Sequence, residues 1–146
     1  MKTLKQIAGD LLLYFYKLQR QDKLEVSHVI VFDNYPGENI NLNDKSEFGK
    51  TILNLADNSS IDTYNGLKYL EEKSFINFKE DGSNAGILLH GLSITAYGID
   101  IIEGIEGGEK EKNEFHVVFN IKLAENINIE SLIKAELGSL IKASLI

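Results

Sequence analysis

The 146-residue chain has no cysteine. Disulfides, thiolate zinc sites and cysteine nucleophiles are therefore excluded, and nothing points to an oxidising compartment. Arginine is nearly absent as well. Arg20 stands alone, which weighs against a phosphate-binding surface. No apolar run approaches the length needed to span a bilayer. Met1-Lys2 followed by Leu11-Leu12-Leu13-Tyr14-Phe15 has the order of a signal peptide. That run is short, however, and Tyr16-Lys17-Leu18-Gln19-Arg20 offers no small-residue cleavage site. The expectation is a soluble, cytoplasmic protein without membrane contact.

What is present suits one domain with a sizeable core, since 43% of the residues are hydrophobic. The net charge of −7 is unevenly spread. Residues 1–23 carry +3, residues 24–109 carry five lysines against fifteen acids, and residues 110–146 balance five against five. An acidic middle repels phosphate and favours a basic partner.

Leu4, Ile7, Ala8, Leu11, Leu12, Phe15 and Leu18 follow the i, i+3, i+4 spacing of an amphipathic helix over residues 3–20. Thr3 suits its start, and Lys17 and Arg20 suit its end. Val26–Phe32 is short and β-branched, so a strand is expected there, closed by the turn Asn34-Tyr35-Pro36-Gly37. A second helix is expected from Lys45 to Ala56, with Asp44 and Glu47 in capping-box spacing. A third should run from Ile61 to Lys73, capped by Ser60, with Ile61, Tyr64, Leu67 and Leu70 as its buried stripe. The tight polar turn between these two suggests helix-turn-helix. Phe75–Phe78 and Gly86–Ile94 read as strands joined by a hairpin turn at Glu80-Asp81-Gly82-Ser83-Asn84. A fourth helix should start after Thr95, stapled by Ile94 and Ile99, and end near Gly104.

Residues 106–113 read as a charged, glycine-rich linker. Beyond it Phe115, Val117, Phe119, Ile121 and Leu123 alternate with mostly polar positions, as in a one-faced strand. Asn128 can cap a last helix to Ser144 with an apolar face of Ile129, Leu132, Ile133, Leu137, Leu140 and Ile141.

Over about residues 46–105 the order of elements resembles a winged-helix domain. Thr63-Tyr64-Asn65-Gly66-Leu67-Lys68-Tyr69-Leu70-Glu71-Glu72-Lys73-Ser74-Phe75-Ile76 resembles a recognition helix running into the first wing strand. Ser93-Ile94-Thr95-Ala96-Tyr97-Gly98-Ile99-Asp100-Ile101-Ile102-Glu103 resembles the return from the wing into a closing helix. The chain is also similar to the small YjcQ-type winged-helix proteins of Gram-positive bacteria and their prophages. The resemblance implies a winged helix over residues 1–105. With the linker over 106–113 and the strand–helix extension over 114–146, which lies outside the basic winged helix, the expected fold is α+β. It also implies DNA binding, with the third helix in the major groove and the wing on the backbone. Ser60, Thr63, Asn65 and Lys68 of the third helix, Lys79 of the wing and Arg20 of the first helix are the candidate contacts. The expected solvent face of the third helix is Ser59, Ser60, Asp62, Thr63, Asn65, Gly66 and Tyr69. Glu71 and Glu72 oppose the lysines there, and no arginine is available for base readout.

Residues capable of chemistry read as structural. His28, His90 and His116 lie far apart, each in an expected strand, without ligand spacing. Asp33 and Glu38 flank a turn and read as solvated acids. Asp100, Glu103, Glu106 and Glu109 read as an acidic rim. Gly104-Ile105-Glu106-Gly107-Gly108 lacks the context of a phosphate loop. Of the neighbours Tyr14, Phe15 and Tyr16, at most two are expected to face the core. No enzyme activity and no cofactor are expected. The expectation is a DNA-binding regulator or an acidic adaptor or antagonist of a protein partner. A homodimer is expected to form through Phe115, Val117, Phe119, Ile121, Leu132, Ile133, Leu137, Leu140 and Ile141, because that apolar surface exceeds what a closed monomer covers.

Overall fold

A computed structural model describes residues 2–24, 29–35, 39–83 and 86–106. Their fold is α+β. The elements are α1 (Leu4–Arg20), β1 (Val29–Asp33), β2 (Asn41–Leu42), α2 (Glu47–Leu55), α3 (Ser60–Glu72), β3 (Ile76–Ser83), β4 (Gly86–Ile94) and α4 (Ala96–Glu106). The strands form one antiparallel sheet ordered β2-β1-β4-β3.

Helix α1 occupies the centre. Thr3 caps it, and Gln6 closes the capping box. Every residue from Ile7 to Tyr16 is buried. Tyr14, Phe15 and Tyr16 are 8%, 0% and 3% exposed, so all three are inside, contrary to the expectation that one would face out. The reason is tertiary. Tyr14 and Phe15 meet Phe48 of α2 with ring centroids 5.9 and 6.0 Å away. On another side the Tyr16 hydroxyl donates to Glu103 of α4 at 2.8 Å. Burial pushes the Tyr14 phenol up from its ordinary pKa, a hydrogen bond with Thr51 opposes that rise, and Glu47 adds to it. The Lys2 ammonium reaches Asp10 at 2.8 Å, so this nearly buried carboxylate is paired.

Several boundaries differ from the expected ones. Strand β1 runs on to Asp33, and residues 26–28 of the expected strand lie outside the described residues. The two-residue β2, absent from the sequence reading, pairs with β1. Ser46, not Asp44, caps α2 through Gly49 N–H, while Asp44 accepts from the Ser46 N–H. Ser59, one residue before the expected cap, accepts from the Asp62 N–H and starts α3. Residues 80–83 are strand rather than turn, paired with Leu89, Leu88, Ile87 and Gly86. Register slips by one residue between Asn77 and Lys79, and Gly91 at φ +69° absorbs the resulting bulge. Helix α4 continues to Glu106, past its expected end near Gly104 and into the first residue of the expected linker, whose residues 107–113 lie outside the described residues. Thr95 caps it through the Gly98 N–H at 2.9 Å. Both staple residues pack inward, Ile94 being buried and Ile99 lying against the core.

Among the described residues, no helix is long and apolar enough to cross a membrane.

Candidate nucleic-acid interface

Helix α3 is held on two sides. Gly66 faces α1, where a Cβ would meet Leu11 Cδ1 at 3.0 Å and Ile7 Cγ2 at 3.3 Å. Tyr64 faces the sheet, with its ring 5.4 Å from Phe32 edge-on and 4.7 Å from Tyr35. Thr63 is fully buried and its hydroxyl donates to the Ser59 carbonyl at 2.8 Å. Thr63 and Gly66 therefore do not belong to the expected solvent face, because α3 lies with that side against α1 and the sheet. Ile61, expected inside, is 44% exposed.

The candidate contacts consequently fall into three groups. Ser60 and Thr63 serve the fold: the Ser60 hydroxyl accepts from the Leu42 N–H at 3.0 Å, tying α3 to β2. Lys68 is held by carboxylates. Its ammonium donates to Glu71 at 3.0 Å, lies 3.5 Å from Glu80 and sits 5.8 Å from the Phe78 ring centroid. The Glu71 hydrogen bond holds the Lys68 pKa above its ordinary value; burial opposes that rise, and the charges of Glu71 and Glu80 add to it. Asn65, Lys79 and Arg20 remain solvent-accessible. Arg20 is 5.8 Å from the Tyr16 ring at the end of α1. Across residues 60–83 three lysines face five acids.

Sequence reasoning missed Glu80 and Tyr64 as partners in this cluster. The Tyr64 hydroxyl donates to Glu80 at 3.0 Å. The i, i+3 spacing of Lys68 and Glu71 carried half of the signal. The other half crosses from helix to hairpin and has no local signature.

The remaining candidates are dispersed. His90 lies on β4 with Nε2 2.7 Å from Asp81 Oδ2. Asp33 ends β1, Asp100 and Glu103 are exposed on α4, and Glu38, Glu109, His28 and His116 lie outside the described residues. Among the described residues, no group of three or more His, Asp or Glu is placed to hold a metal. The expected oligomerisation residues Phe115, Val117, Phe119, Ile121, Leu132, Ile133, Leu137, Leu140 and Ile141 also lie outside them. No family model, curated protein or solved structure matches the chain.

Proposed function

We propose that the chain is a non-catalytic winged-helix module that binds a basic protein partner through its acidic surface rather than DNA. Support for the winged-helix reading comes from the order α1-β1-α2-α3-β3-β4, with the two-residue β2 inserted after β1, and from the pairing of β1 with β4, the first and last strands of that plan. The observation that carries the choice of partner is Lys68. The only lysine in the body of α3 is committed to Glu71 at 3.0 Å and to Glu80 at 3.5 Å. A phosphate approaching it meets two carboxylates first, and desolvating them against an anion is unfavourable. Of the candidate cations, Arg20 and Lys79 stay accessible but lie on different elements.

Fluorescence anisotropy with mixed-sequence duplex DNA tests this reading. The full chain should show no binding at about 150 mM salt. Binding whose logarithm falls linearly with log salt, and which disappears in a Lys68→Ala, Arg20→Ala double variant, would instead establish a DNA-binding regulator.

A further inference from the structure

The sheet has two faces. Ile30 and Phe32 of β1, Ile87 and Leu89 of β4, and Ile76 and Phe78 of β3 are buried in the core. On the opposite face the ladder register sets three cross-strand rows. Val29 pairs with His90, which pairs with Lys79. Val31 pairs with Leu88, which pairs with Asp81. Asp33 pairs with Gly86, which pairs with Ser83. Leu88 is the centre of this patch, and Asp33 and Lys79 are its diagonally opposite corners. Val29 is 40% exposed, and Val31 and Leu88 are only half-buried. A groove of about 290 Å³ runs over Val31 and Leu88 between Asp33 and Asp81. Its floor is bare at Gly86, where a Cβ would collide with the Phe32 carbonyl oxygen.

We propose that this face docks a second copy of the chain. A two-fold axis through Leu88, lying between the two sheets and perpendicular to the Asp33–Lys79 diagonal, sets Asp33 of each protomer over Lys79 of the other. With strands about 4.8 Å apart and alternate residues about 6.8 Å apart, that axis crosses the strands of the two sheets at roughly 70°. This is close to the orthogonal class of sheet packing. Leu88 meets its own copy at the centre, the Val29 and Val31 side chains flank it, and each Asp81 reaches the space left by Gly86. An isologous contact of this kind uses every interaction twice. The patch spans only about 10 by 14 Å between outermost positions, so association is weak and depends on concentration and salt. A second copy is a different occupant from the basic partner proposed above, and either stands without the other.

Sedimentation equilibrium on the full chain tests the proposal, with thermal melts confirming that each variant folds. At low salt a monomer–dimer equilibrium is expected. Asp33→Lys and Lys79→Glu should each weaken it by about tenfold or more, since each places like charges together at two sites. An equimolar mixture of the two variants should regain the dimer, because both corners are complementary again in the heterodimer. Leu88→Glu should abolish association. A chain still monomeric at about 1 mM would overturn the proposal. So would a dimer whose association constant is unchanged by Asp33→Lys and Leu88→Glu, which would place the interface elsewhere, or a mixture that fails to recover.

Discussion

The Tyr64 hydroxyl donates a 3.0 Å hydrogen bond to Glu80, joining the middle of α3 to the outer strand of the hairpin. Glu80 also faces Lys68, so one carboxylate organises two side chains of the helix. These contacts tie the hairpin to α3.

Tyr64→Phe should cost about 1.5–3 kcal/mol, the range for losing a hydrogen bond to a charged acceptor. Burial first, then hydrogen bonds with Tyr35 and Glu80, raise the Tyr64 pKa far above its ordinary value of 10.0. A raised acid favours the protonated form in the folded state. Its contribution is full below pH 10 and falls as pH rises above it. Alkaline urea melts should show a smaller loss of stability in Tyr64→Phe than in the parent.

Leu67 is fully buried in α3 beside the α1 contact. Leu67→Ala should cost about 2–5 kcal/mol. A loss under about 1 kcal/mol in denaturant melts would show that this helix face is not packed.

Two glycines of α4 should respond with opposite signs. A Cβ at Gly98 would collide with the Phe75 carbonyl oxygen, whereas a Cβ at Gly104 meets nothing within 4 Å. Gly98→Ala should lose about 1–3 kcal/mol through overpacking. Gly104→Ala should gain up to about 1 kcal/mol from helix propensity. Equal shifts of the urea midpoint in both variants would contradict the packing of α4 against the α3–β3 junction.

Thr95 accepts from the Gly98 N–H at 2.9 Å and donates to the Ser74 carbonyl at 2.6 Å. It therefore caps α4 and anchors it to the end of α3. Thr95→Ala should cost about 0.5–2 kcal/mol, and Thr95→Ser should recover most of it. If Ser and Ala variants melt alike, the hydroxyl is not the anchor.

Among the described residues, the repeating pattern of apolar residues was enough to locate the four helices and the longer strands. Helix ends were legible to within one or two residues, because Thr3 and Thr95 act through neighbours a few positions away. The competing serines show the limit. Ser46 and Ser59 prevailed over Asp44 and Ser60 because the caps settled where the chain entered the packed helix, not where the motif matched best. The basic and acidic residues of α3 were likewise legible as a list.

What the sequence by itself determined is therefore local: periodicity of 3.6 or 2 residues, capping chemistry, and the acidic balance of the middle of the chain. Tertiary structure decided which sides of each element were used. Tyr14, Phe15 and Tyr16 are all buried because helices approach α1 from more than one side. Thr63 and Gly66 turn inward because α3 crosses α1 at Gly66. Lys68 is committed because β3 brings Glu80, twelve residues further along the chain, to the side of the helix that carries Glu71, a separation that no helical spacing encodes. Amphipathic patterns specify that a face is buried. Only the packing of elements distant in sequence specifies against what, and with which charges beside it.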